Sequence, residues 1–593
     1  MKKGTSRGNA LIVALIMVVA VSGFVGVAFT TTDGAARASD RSRDYAGAQA
    51  AAEGVVEYAF GVWKGQIASG NGPIAGSSTA TAPLVPGYPM VGALEILPAN
   101  EFGVSTSATG LPPIVAMDVS GYPGWRGRGY NYVARAQMNP GHLYRVGVRR
   151  QFQYTEVPLF QAMYFFEHDF EIYRPAEMMI SGLVHSNSNM WVSGQTTSAL
   201  TFQSNVSHAG NYSEAPAPFG TLWSPASSSV VPPIYSNGRA NQLNQVARME
   251  PLGQDPAAAL NTTDSNPNND SFRELIEPPN GSFSDPPAIA TRRLFNKAGL
   301  RVNINNGTIT VTGANGLSVS PAKETEVRNA ISAPTTIYDQ REGRNVDVRS
   351  LDVAALRTAL SSGMSGFNGV LYVNDTTPQT GADPEPKTVR LRNGGILPDA
   401  GLTVVSENPI YIQGDYNTGS TSSTVNDVPS NNGGNPTNTD AATVSGYTRK
   451  PSSVIGDAVM LLSNNWNDAN SSLALSSRQA AHTTYNTAII SGFMPSGYQP
   501  PSGAAYGYSG GANNFPRFLE DWSSSGRHCT YFGSMVELFQ SERFTGRWDT
   551  GVIYRPPGRR WNFDTNFTDN PPPGAVSGTT WSRGTWAKWT DQP

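Results

Sequence analysis

Residues 10–29, with Ala10 as the first and Phe29 as the last, carry no ionisable side chain, and no charge of either sign follows before Asp33. At about 1.5 Å per residue this run makes about 30 Å of helix, the thickness of a bilayer's hydrocarbon core. It can span a membrane. Beyond it, residues 35–67 contain no Pro, and Tyr45, Ala48, Ala52, Val55, Val56, Ala59, Phe60 and Trp63 recur at three- and four-residue spacing. That is the period of a helix with one apolar face. The two patterns together predict one unbroken helix over residues 10–68, about 88 Å long. A membrane needs only its lower half, so the upper half must pack on protein.

After the helix the pattern changes. Residues 69–92 are rich in Gly, Ser and Pro without period and read as a linker. Residues 130–137, 143–157 and 162–173 then cluster β-branched and aromatic side chains, as strands do. Residues 178–194 and 200–210 are short apolar clusters punctuated by Gly, Ser and Asn. This is the texture of β-solenoid rungs, where each coil covers the next and Asn side chains can stack at the turns. Residues 224–287 read as a polar, Pro- and Asn-rich loop. Asn306-Gly307 between two β-branched runs predicts a tight hairpin, since a primed turn needs positive φ. Short helices are expected over 323–330 and 351–361, and further rungs over 369–373, 389–391, 402–405 and 410–412. Residues 417–446 form a low-complexity loop. In the last block, strands are expected over 458–462, 487–490 and 534–539, with a helix near Asn514 placing Phe515, Phe518, Leu519 and Trp522 on one face. The expected fold class is α+β: a long amino-terminal helix, then a large, mainly β region with solenoid character. The expected segments are 1–8, 9–68, 69–92, 93–223, 224–287, 288–416, 417–446 and 447–593.

Composition narrows the function. The 42 Lys plus Arg balance 45 Asp plus Glu, a formal net charge of −3, so nothing is available to neutralise a nucleic-acid backbone. Nucleic acid is not an expected partner. Charged residues make up 15%, against about 25% in ordinary soluble domains, while 61 Gly and 43 Pro mark a turn-rich chain. The one cysteine, Cys529, cannot close an intrachain disulfide. Lys2, Lys3 and Arg7 before the apolar run, with Asp33 after it, put the first residues in the cytoplasm and the bulk outside.

Three readings of the amino terminus compete. A cleaved secretory signal has a small-x-small site at Ala36-Arg37-Ala38, but its apolar core should be about 7 to 15 residues. A plain membrane anchor needs only length and flanking charge. The third rests on a resemblance. The segment Arg7-Gly8-Asn9-Ala10-Leu11-Ile12-Val13-Ala14-Leu15-Ile16 resembles the amino terminus of the type IV pilin and pseudopilin superfamily, PilX-like minor pilins in particular. Residues 44–53, through Gln49, Ala50, Ala51, Ala52 and Glu53, resemble the Ala-rich stretch that follows the apolar run in PilX-like proteins. The resemblance implies processing by a prepilin peptidase after Gly8, with Asn9 as the first mature residue. It also implies helix-to-helix contact with other pilins or pseudopilins, residence in the inner membrane, and arrival at a pilus or the cell surface. Two positions depart from the family. Asn9 replaces the usual aromatic or Met, and Val13 stands where most pilins carry the Glu that pairs with a neighbour's terminal amine. Similarity to the minor pilins and pseudopilins that lack this Glu implies a tip, initiation or adhesion role, with no enzymatic step.

Candidate chemistry is sparse. Residues 507–511 match G-x-S-x-G around Ser509, but the elbow requires a strand before and a helix after, and Pro500-Pro501 precede it. The histidines at 142, 168, 185, 208, 482 and 528 lack metal-ligand spacing. His168, between Glu167 and Asp169, is expected on a solvated strand edge, and Cys529 as a buried thiol. No cofactor is expected beyond calcium, for which Asp564, Asn566 and Asp569 are weak candidates because alternating carboxylates and amides suit a hard cation. Glu407 and Asp415 flank a predicted rung and are the acid–base pair of the alternative reading, a membrane-anchored solenoid that binds or cleaves polysaccharide. Trp581, Trp586 and Trp589 are expected in core or strand-edge packing, with a surface or carbohydrate ligand as the competing use.

Overall fold

The computed structural model describes residues 7–70, 74–76, 78–100, 103–104, 110–111, 114–139, 141, 145–214, 230–250, 260, 264–361, 364, 366–378, 385–420, 442–497, 508–524, 527–548 and 552–589. The chain divides into two compact units. One comprises residues 1–115, 130–154 and 581–593, the other residues 116–129 and 155–580.

The first unit is built on one helix, Arg7–Gly70. The expected apolar face is the buried one: Ala48, Ala52, Val55, Val56, Ala59, Trp63 and Ile67 are each at most 1% exposed. They pack on a sheet ordered Ser78–Ala80, Leu94–Asn100, Arg126–Met138, Val146–Pro158 and Ser577–Trp589. The sheet contributes Leu94, Ile96, Tyr132, Ala134, Phe152 and Tyr154 to the shared core. Trp63 meets Tyr132 edge-on, ring centroids 5.1 Å apart. A Cβ at Gly47 would meet the hydroxyl end of the Tyr88 side chain. The stretch expected as a linker contributes the edge strand Ser78–Ala80, which pairs antiparallel with residues 94–96.

The second unit is a parallel solenoid. Among the described residues its longest sheet has eleven strands. From one end they run Leu243–Gln245, Val206–His208, Leu183–Ser186, Ala162–Phe166, Met535–Gln540, Ala488–Phe493, Ser452–Gly456, Leu402–Val405, Val370–Asp375, Leu300–Asn305 and Thr308–Gly313. The chain therefore starts in the middle of the stack, builds to one end, restarts at the other and returns to dock Met535 beside Tyr164. One ladder of register partners, Leu300, Leu371, Val404, Val454, Ile489, Met535, Tyr164, Val184 and Val206, points into the solenoid. The alternate ladder, Tyr372, Val405, Ile455, Ile490, Val536 and Phe165, points out and is covered by Leu275, Ile276 and Leu294. Both faces are buried, which is why these strands read as continuous apolar runs.

Turn chemistry follows the expectation. Asn417, at φ 58°, donates to the carbonyls of Lys450 and Asn486, and Asn486 donates back to the Asn417 carbonyl. The Asn306-Gly307 hairpin forms with φ of 48° and 80°. Two expectations fail. Residues 224–287 are not one loop, since Ile234–Tyr235 and Leu243–Gln245 add parallel rungs and Val230–Val231 pairs antiparallel with residues 194–195. The helix near Asn514 is a single 3-10 turn, Ala512–Asn514, and the chain beyond it runs extended, bridging at Arg517 and Asp521. Phe518 and Leu519 consequently face different cores.

Candidate functional site

The lower half of the helix carries most of the exposed large hydrophobic side chains among the described residues. Leu11 is 76% exposed, Phe24 80% and Phe29 72%, and no residue of 10–29 is buried by the rest of the chain. Thr30, Thr31 and Thr32 turn their hydroxyls back onto the carbonyls of Val27 and Ala28 at 2.7 to 3.0 Å, so they need no outside partner. Charge returns at once: Arg37 pairs with Asp33 at 2.7 Å and Arg43 with Asp40 at 3.2 Å, all exposed. Arg7–Gly70 is the one helix among the described residues long and apolar enough to cross a membrane. Gly8 and Asn9 lie in its first turn, and their side chains are outside the described residues. Val13 is exposed with the rest of the run.

The upper half is held by chemistry that the spacing alone did not disclose. Glu57 pairs with Arg150, and with Arg583 at 2.5 Å. Arg150 lies 4.6 Å over the Trp586 ring, Arg135 4.8 Å over Trp589, and Trp581 meets Trp63 edge-on at 5.3 Å. The three tryptophans serve packing.

On the solenoid, His168 departs from the solvated edge expected of it. Its Nδ1 lies 2.7 Å from Oε1 of the fully buried Glu537, 369 residues away, and that charge holds the imidazolium up to about 9. Glu167 pairs with Arg248 and accepts from Asn187 Nδ2 at 2.8 Å. Burial pushes its carboxyl up to about 7. A cavity of about 570 Å³ opens beside His168, with Arg273 in its wall paired to the buried Asp457. No local signal links these residues, because the parallel stack alone brings strand 162–166 beside strand 535–540. His185 is buried, shares hydrogen bonds of 2.8 Å with Ser207 and Asn187, and is held down to about 4 by desolvation. His142 lies outside the described residues.

The remaining candidates are separated. Glu407 accepts from Arg543 at 2.7 Å before strand Ile410–Gln413, while Asp415, after it, accepts from the Thr484 amide at 2.9 Å. They sit at opposite ends of that strand, and Asp415 is also held by its own amide, which donates to Asn464 Oδ1 at 2.9 Å. Asp564 is buried and takes both Arg449 Nε (3.0 Å) and Nη2 (3.2 Å), as well as the Asn566 amide at 3.1 Å. Asn566 and Asp569 are exposed on the short helix Asn566–Asp569. Among the described residues no group of three or more His, Cys, Asp or Glu is placed to hold a metal. Ser509 is buried, accepts from the Gly511 amide at 3.2 Å and has Glu171, not a histidine, at 3.5 Å. Burial pushes the Cys529 thiol up to about 12.

No family model and no curated protein matches this sequence. Among solved structures, the competence-associated pilin ComZ from Thermus thermophilus aligns over 92% of this chain and 98% of its own at 9% identity, with a TM-score of 0.25. A superposition that loose carries no argument, and the functional reading rests on the residues themselves.

Proposed function

We propose that the chain is a minor pilin or pseudopilin-type subunit of a type IV pilus or related secretion filament, processed after Gly8 and presenting its solenoid outside the cell. The observation that supports this most is the asymmetry of one helix, bare and apolar over residues 10–29 yet packed on its own sheet from Ala48 to Ile67. A cleaved signal would not continue as the core helix of the mature fold. A simple anchor would not need the basic leader ending in Gly8 or the Ala-rich segment after the span. Val13 keeps the run free of charge, so the subunit brings no carboxylate for a neighbour's terminal amine, as suits a tip or initiating position. Its partners are then the prepilin peptidase, the inner membrane and the bare helices of other pilins. The reading requires no catalytic step, and the polysaccharide-cleaving alternative would need Glu407 and Asp415 on one substrate.

The test is to shear filaments from cells and probe them for the solenoid. The intact chain should appear in the sheared fraction, and Gly8→Ala should remain unprocessed in the membrane. A solenoid absent from filaments, or found there equally with Gly8→Ala, contradicts the reading.

A further inference from the structure

On the solenoid, Tyr173, Tyr508, Trp548 and Tyr554 wall a second cavity of about 310 Å³. Trp548 and Tyr508 meet edge-on with centroids 5.5 Å apart; Tyr508 is buried behind, and Trp548 is the partly exposed ring of the pair. The charged members of the wall among the described residues are Arg174 and Arg559, and none of the described lining residues is Asp or Glu. Glu171, two residues before Tyr173, is turned to Ser496 at 2.6 Å, and burial pushes its carboxyl up to about 8, so it supplies little negative charge at neutral pH. Arg174 is held in the left-handed region at φ 47°, directly before Pro175, by its amide's hydrogen bond to the Ser193 carbonyl at 3.0 Å. A non-glycine residue in that region is strained, and such strain persists where the surroundings impose it, most often at binding sites. Asn513 is 7% exposed and lines the same cavity, and its amide oxygen has no hydrogen-bond partner among the described residues.

We infer that this cavity is a binding site for an acidic saccharide, a uronic-acid type sugar of one or two rings. Aromatic faces cover the apolar face of a pyranose ring, an amide oxygen accepts from a ring hydroxyl, and a guanidinium takes the carboxylate in the fork geometry that Lys cannot reproduce. The volume lies at the small end of ligand pockets, which limits the occupant to about two rings. The excess of positive charge selects an acid over a neutral sugar. The aromatic walls select a sugar over a bare anion. The site belongs to the solenoid, so it stands or falls separately from processing at Gly8.

The experiment is calorimetric titration of the full chain in detergent with digalacturonate, digalactose and inorganic phosphate. Digalacturonate should bind at least tenfold more tightly than either of the others, and more weakly as salt is raised. Trp548→Ala and Arg174→Gln should each lower that affinity at least tenfold, and Arg174→Lys should restore part of it. Arg174→Gly relieves the backbone strain, so it should lose binding without lowering the melting temperature, which separates ligand contact from folding. Equal affinity for the acidic and neutral disaccharides, phosphate binding as tightly as digalacturonate, no binding of any probe, or undiminished binding by the variants would each overturn the assignment.

Discussion

Phe24 and Trp63 lie on the same helix, one 80% exposed and the other wholly buried. Both halves of that helix are apolar, but only residues 45–67 find partners within the chain, in the sheet of Tyr132, Phe152 and Trp581. Residues 10–29 carry no charge, and the hydroxyls of Thr30, Thr31 and Thr32 just beyond them are taken up by the helix's own carbonyls. Apolar surface on that scale stays out of water only in lipid or against other apolar helices. The difference between the halves is therefore one of location: the upper one is buried within this fold, the lower one is left for lipid or for other apolar helices.

The sharpest way to break the comparison is to charge the bare half. Replacing Val18 and Phe24 together by Lys should cost about 5–7 kcal/mol of transfer into the bilayer centre. It should abolish membrane fractionation without altering the circular dichroism of the folded units. If the double Lys variant still fractionates with the membrane, the bare half is not the span. Next in size is Trp63→Ala, which empties the packed half and should destabilise the first unit by about 3–5 kcal/mol in denaturant titration while leaving membrane fractionation intact.

A smaller effect distinguishes the solenoid from the helix unit through pH. Glu171 and Glu520, raised to about 8 and about 7 by burial, and His168, held at about 9 by Glu537, all bind protons more tightly folded than unfolded. Stability from these groups is thus present at low pH and is lost as pH rises through their folded values. Below about 6.5 His185 opposes them, because it is kept neutral in the fold. Between pH 6.5 and 8 nothing in this set opposes the loss, so the solenoid's melting temperature should fall across that window. Glu171→Gln should flatten the fall, and a melting temperature that rises would contradict the assignment. Smallest is Glu57→Gln: the half-exposed pair with Arg583 and its contact with Arg150 are worth about 1 kcal/mol or less, read as a slight shift of the first unit's denaturation midpoint.

Local order was legible in the sequence where a period or a turn residue carried it. The face from Ala48 to Trp63, the Asn306-Gly307 turn and the rung at residues 402–405 are found as expected. What escaped is the order of the stack. Nothing in residues 162–166 or 535–540 says that they are neighbours, so the His168–Glu537 pair could not be read from spacing. The misread helix near Asn514 has a related cause. Phe515, Phe518, Leu519 and Trp522 are all buried, but by cores on two sides of an extended segment, and a short apolar run buried on both sides has no period to distinguish it from a helix. The cavity of Arg174 and Trp548 was equally hidden, since its walls come from coils far apart in the chain.

The most direct test of the account is the amino-terminal sequence of the protein extracted from membranes. A chain that begins at Asn9 keeps the bare half joined to the packed half, as the account predicts. A chain that begins at Ser39 has lost the bare half altogether, and one that retains Met1 has never met the peptidase; either result contradicts it.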